Sequence, residues 1–208
     1  MSKNYIITIG RQFGSGGREI GEALAKKLGI PYYDKELISM AAKESGLDTE
    51  VFDQVDERAT NSLLYSLSMG LYSFGNNFTN SSELPVNDRL YILQHQIIKK
   101  LAEEGPCVIV GRCADYVLKD RDDCINVFIH ANMEYRKQRA IEIHDIKKNK
   151  AEQIINKTDK VRANYYGFYS GQKWGYAQNY DLSVDSSKLT TEQAVALIES
   201  YVNIRCGE

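Results

Sequence analysis

The chain has no cysteine pair at metal or redox spacing: Cys107, Cys113, Cys124 and Cys206 form no CxxC unit, and only 3 histidines accompany them. Structural zinc and disulfides are therefore not expected. Cys107 and Cys124 sit within apolar runs and read as small buried hydrophobes. Charge of one sign is lacking too. With 26 Lys+Arg against 28 Asp+Glu the formal net charge is -2, which gives no basis for bulk attraction to nucleic acid or acidic membranes and makes any anion site a local one. No apolar run approaches the roughly 20 residues needed to span a bilayer, and Met1-Ser2-Lys3-Asn4-Tyr5 has no apolar stretch of leader type. The expectation is a cytoplasmic protein with no nucleic-acid or membrane partner. What remains, 208 residues with 43% hydrophobic and 26% charged content, fits one α/β domain over 1–208 with a small helical insertion.

Along the chain, the β-branched run at 5–9 is bounded by Gly10 and reads as a buried central strand. Ile20, Ala23, Leu24, Ala25 and Leu28 then recur at helical spacing until Gly29-Ile30-Pro31 stops them. Ile30-Pro31-Tyr32-Tyr33 reads as a short strand leading to Asp34, which is placed to cap a helix through Leu37, Ile38 and Ala41. Residues 60–85 interleave Asn, Ser and Gly with Leu, Tyr and Phe, the composition of a mobile insertion, an apolar flap or a dimer surface. Beyond it a helix at 89–104 precedes the strand 107–110. A second strand at 124–129 leads into two helices starting near Met133 and Ala151. A short strand at 182–184 and a capping-box start, Thr190-Thr191-Glu192-Gln193, close the pattern. Strands alternating with helices imply a parallel sheet with helices on both faces.

The segment Arg11-Gln12-Phe13-Gly14-Ser15-Gly16-Gly17-Arg18 joins the first strand to the first helix. A glycine-rich turn there either is simply tight or offers backbone N–H groups and a helix dipole to an anion. Arg18, a cation unfavourable in a helix's first turn, makes better sense with an anion before it. The strict pattern GxxxxGK[ST] is not met: Arg11 stands at its first glycine, Gly17 at its lysine and Arg18 at its hydroxyl position. Either arginine can replace the charge, with Arg18 the nearer and Arg11 the reserve. Neither replaces the hydroxyl, although Ser15 lies in the loop.

Read in order, these segments resemble the cytidylate kinase family, and most closely its divergent cytidylate kinase-like branch, over nearly the whole chain. The stretch 7–20 looks like that branch's altered phosphate loop. Gly29 to Asp34 resembles the passage into the monophosphate-binding region. Arg89 and Gln96 match an arginine and a glutamine seven apart on the helix that contacts the acceptor. Val108-Ile109-Val110-Gly111-Arg112 resembles an Asp-Gly-Arg-Asp strand end, with Val110 and Cys113 in place of its two acids and Asp115 near enough to stand in for one. Arg136 and Arg139 look like lid arginines, Asp159 and Arg162 resemble an acid-x-x-arginine pair, and 181–187 is similar to a late strand with its Asp-Ser turn.

The resemblance implies the P-loop kinase fold and phosphoryl transfer from ATP, with Mg2+, to a nucleoside monophosphate such as CMP. The loop and Arg18 would hold donor phosphates, and Arg112, Arg136, Arg139 and Arg162 would surround the transferring group. Asp34, Arg89, Gln96, Asp159 and Arg162 would hold the acceptor. The metal ligand is unassigned, and an oligomer is allowed. Bland readings stand beside these: Arg136 and Arg139 share a helix face that solvent alone explains, and Asp34 serves as a cap. The aromatic cluster of Tyr165, Tyr166, Phe168, Tyr169, Trp174 and Tyr176 reads as packing. Loss of both Walker side chains keeps open a nucleotide-binding regulator, and fold alone leaves open a kinase of another metabolite.

Overall fold

The computed structural model describes residues 5–34 and 86–207. The chain divides into two compact units, Met1–Asp34 with Leu101–Glu208, and Lys35–Lys100. The expected helix after Asp34 and the insertion at 60–85 lie outside the described residues.

In the first unit, β1 (Ile6–Arg11), β2 (Tyr32–Tyr33), β3 (Cys107–Val110), β4 (Cys124–His130) and β5 (Leu182–Asp185) form one sheet in the order β2-β3-β1-β4-β5. Every pairing is parallel. The central strand is buried on both faces, with Ile6, Ile7 and Ile9 at 0% exposure, which is why it reads as a continuous apolar run and not as an alternation. Ile7, Ile9, Val108, Val110, Val127 and Ile129 meet Ile20 and Leu24 of α1 (Gly17–Leu28), together with residues from the helix Thr191–Cys206. The short helix Ala114–Val117 contacts β1 and β4. The helix at the chain's end starts with the expected capping box, Thr190 and Gln193 each bonding the other's backbone N–H. This is the P-loop kinase fold expected from the sequence.

Strand β1 runs two residues past the expected 5–9, because Gly10 and Arg11 continue the ladder opposite Phe128 and Ile129 of β4. Arg11 is thereby the last residue of a strand and not part of the loop. Two further helices matter for the site. In chain order after the short helix, which is α3, they are α4 (Met133–Glu142) and α5 (Ala151–Ser170), and α6 is the final one. The remaining helix, α2 (Val86–Glu104), carries Arg89 and the exposed Gln96 in the second unit. Among the described residues no helix is long and apolar enough to cross a membrane.

Candidate active site

In a parallel sheet of this kind ligands meet the carboxyl ends of the strands, and the polar residues singled out in the first unit's sequence gather there. The loop after β1 is tied down from within. Gln12 N donates to Ile129 O at 3.0 Å, and Ala131 N donates to Gln12 Oε1 at 3.2 Å. The buried Ser15 hydroxyl donates to Gln12 O at 2.9 Å, so it closes the turn and does not face out as a metal-binding hydroxyl would. From the Asp-Ser turn after β5, Ser186 Oγ donates to Ser15 O at 2.7 Å.

Helices α4 and α5 grip the residue between. Phe13 N donates to Asp159 Oδ1 at 2.8 Å, Arg136 Nε donates to Phe13 O at 3.0 Å, and Arg136 Nη2 meets Asp159 Oδ2 at 2.6 Å. Burial pushes the Asp159 carboxyl up and the Arg136 guanidinium down, against their mutual attraction. Gly14 is needed here for two reasons. Its φ of 75° is left-handed, and a Cβ would stand 2.7 Å from Arg136 O.

The outer side of the loop differs. Helix α1 begins at Gly17, and its N-cap, Gly16, provides no side-chain cap, which leaves first-turn N–H groups pointing out of the helix end. Over that end lies Arg139, whose guanidinium is 3.5 Å from the position a Gly16 Cβ would take. Its Nη2 meets Glu19 Oε1 at 3.0 Å, while its buried Nε has no hydrogen-bond partner among the described residues. A buried unpaired donor on a cation beside an uncapped helix start fits an anionic phosphate.

The other cations converge from neighbouring strand ends. Arg162 Nη1 donates to Arg11 O at 3.1 Å, and burial together with the Arg11 guanidinium pushes it down to about 9; it still carries its charge at neutral pH. Arg11 pairs with the buried Asp34 at 3.6 Å, and Arg18 Nε reaches the same carboxylate at 3.2 Å. Arg18 thus engages the end of β2, where the sequence suggested a substitute for the loop's missing lysine. Arg112 follows Gly111 with φ 59°, and Cys113 continues left-handed at 55°. Two such non-glycine residues in succession cost roughly 1–3 kcal/mol each, a strain this turn carries directly after a buried strand. A Cβ on Gly111 would overlap the Arg11 guanidinium.

Asp115, considered as a replacement acid, accepts from the Tyr166 hydroxyl at 2.7 Å, and burial pushes its carboxyl up. The sequence reading placed Tyr166 only in a packing cluster and missed this bond; it also passed over Glu19. Trp174 does pack as expected, edge-on to Phe128 with ring centroids 5.3 Å apart. Among the described residues no group of three or more His, Cys, Asp or Glu is placed to hold a metal ion.

Comparison with curated proteins gave no match. Among solved structures, the chain is similar to an uncharacterized protein from Eubacterium ventriosum, with 28% identity and a TM-score of 0.71 over 96% of this chain and 98% of that one. It shares its fold with a shikimate kinase from Bacteroides thetaiotaomicron, at 13% identity and a TM-score of 0.57 over 97% and 99% of the two chains. A gluconokinase from Sinorhizobium meliloti is similar in the same way, at 14% identity and a TM-score of 0.52 over 97% of each. The sequence itself matches the cytidylate kinase-like family over residues 6–188, and with a glycine loop, a parallel sheet and strand-end arginines arranged as above, the chain belongs to that family.

Proposed function

We propose that this kinase-family chain transfers the γ-phosphoryl group of ATP to a nucleoside monophosphate, with CMP or a related pyrimidine nucleotide as the acceptor. The observation that carries the reading is Arg139, held over the uncapped start of α1 with a buried Nε that has no hydrogen-bond partner among the described residues. In this reading the loop at 14–17 and Arg139 hold donor phosphates, and Arg11, Arg112 and Arg162 offer charge at the strand ends. An acceptor phosphate oxygen attacks the γ-phosphorus as its bond to the bridging β-oxygen breaks, giving ADP and a nucleoside diphosphate. Such transfer needs positioning and charge neutralisation more than covalent chemistry.

Proton bookkeeping supports a phosphorylated acceptor. A hydroxyl acceptor must lose a proton to a base, whereas a monophosphate is already ionised. Asp34 is engaged by Arg11 and Arg18, Asp159 by Arg136 and the Phe13 amide, and Asp115 by Tyr166. Each of these carboxylates thus already has a protein partner, which supports an acceptor that needs no base.

Two observations favour a second reading, a nucleotide-binding regulator without transfer. Gly17 stands where a lysine would, and the Ser15 hydroxyl is spent on Gln12 O. A panel of nucleoside monophosphates, shikimate and gluconate, assayed with ATP and magnesium for ADP release, tests both. Turnover with a pyrimidine monophosphate is expected. Turnover with a hydroxylated acid alone would replace the acceptor, and ATP binding without turnover on any acceptor would establish the regulator.

A further inference from the structure

The resemblance assigns Asp159 to the acceptor and Arg136 to the lid, yet their geometry gives them another task. Both Asp159 oxygens are engaged, one by the Phe13 amide at 2.8 Å and the other by Arg136 at 2.6 Å. Arg136, only 4% exposed, spends its Nε on the Phe13 carbonyl at 3.0 Å. The N–H and C=O of one residue are thus held by two oppositely charged side chains that also hold each other. The ring of Phe13 is placed as well, 4.8 Å between centroids from His144 and 5.8 Å beneath the Arg162 guanidinium. Gly14 completes the fit, since any Cβ there would press on Arg136 O.

We propose that Asp159 and Arg136 are positioning residues that set the conformation of the phosphate loop through the Phe13 peptide and touch neither substrate. The inference rests on the loop being the donor-phosphate site. The physical reason is that a short glycine-rich loop has many conformations of similar energy, and an anion site needs its amides converging before the anion arrives. A phosphate loop with the lysine pattern uses its cation to organise phosphates from the front. Here a buried ion pair from α4 and α5 fixes the loop from behind. Buried pairs of this kind add little net stability but lose a great deal when one partner is removed, because the other charge is left uncompensated. That makes them suited to specifying one local geometry.

The test compares Asp159→Ala, Asp159→Asn and Arg136→Lys with the wild type. Affinity for ATP and for inorganic tripolyphosphate is measured by calorimetry, acceptor KM by kinetics, amide hydrogen exchange over residues 10–18 by mass spectrometry, and folding by thermal melting. Asp159→Ala is expected to weaken both anions by at least about tenfold, since misplacing a site by 1 Å can cost about 10²-fold, to speed exchange in the loop, and to leave acceptor KM unchanged. Asp159→Asn, whose Oδ1 still accepts from Phe13 N, is expected to restore part of the affinity. Arg136→Lys keeps an ion pair but replaces the fork, whose separate nitrogens reach Phe13 O and Asp159, with a single nitrogen, and is expected to fall between.

A raised acceptor KM with unchanged tripolyphosphate affinity and unchanged loop exchange would overturn the proposal and return Asp159 to the acceptor. If Asp159→Ala does not fold, Asp159→Asn and Arg136→Lys decide, and wild-type exchange in both overturns it. If the wild-type protein binds neither ATP nor tripolyphosphate, the donor-site reading fails by itself, and the exchange rates still decide whether the ion pair sets the loop.

Discussion

On its inner side the phosphate loop meets protein: Gln12 is bonded to Ile129 and Ala131, Phe13 to Asp159 and Arg136, and Ser15 to Gln12 and Ser186. On its outer side it meets Arg139, whose Nε is buried without a partner among the described residues, and a helix start without a side-chain cap. The two arginines responsible, Arg136 and Arg139, stand three residues apart on α4. One is 4% exposed and its charge is answered by Asp159, while the other leans on the half-exposed Glu19. A folded chain satisfies its buried polar groups wherever it can, and the incomplete outer side is the one the proposed function assigns to phosphate.

Three substitutions break or sharpen that contrast. The largest effect is expected from Arg139→Ala, which removes the outer cation and should lower kcat/KM for transfer by about 10²–10³-fold, the range for losing one transition-state donor. Melting temperature should stay near the wild-type value. Steady-state kinetics beside a thermal melt check this, and normal turnover would make the outer side no different from the inner one.

Gly14→Ala attacks the inner side, forcing a side chain into a left-handed backbone at φ 75° and against Arg136 O. Denaturant titration should show a loss of at least about 1–2 kcal/mol, the cost of that conformation alone. A neutral result would mean that α4 yields and that the inner side is softer than its bonds indicate.

The smallest effect is expected from Arg18→Ala. Its side chain is 54% exposed and pairs with Asp34, and exposed pairs contribute about 0–1 kcal/mol. ATP affinity measured by calorimetry should change less than about threefold, within that same range. A loss as steep as that of Arg139→Ala would show that Arg18 leaves Asp34 for the phosphates, restoring the role its place in the sequence suggested.

Much of the architecture was legible because it rests on local signals. The run Ile6-Ile7-Thr8-Ile9, the stop at Gly29-Ile30-Pro31 and the capping box at Thr190 each act over a few residues. The extension of β1 to Arg11 was not legible, since it depends on Phe128 and Ile129 lying opposite. The side-chain partners of the candidate site residues were not legible. Asp159 and Arg162 resembled an acid-x-x-arginine pair for the acceptor, and nothing in their spacing indicates that Asp159 faces Phe13, 146 residues away in sequence. Tyr166 was read as packing because a phenol's acceptor, here Asp115, leaves no trace in its own neighbourhood.

The sequence by itself determined the alternation of strands and helices, the glycine loop at the end of the first strand, the absence of a lysine from it, and the family. Those properties depend on residue type and spacing, which chain geometry converts directly into local structure. Only the tertiary structure decided which arginine is fully engaged by protein and which keeps a buried donor without a partner among the described residues. Arg136 and Arg139 are the same residue on the same helix, and what separates them is whether Asp159 of α5 or the open end of α1 stands opposite.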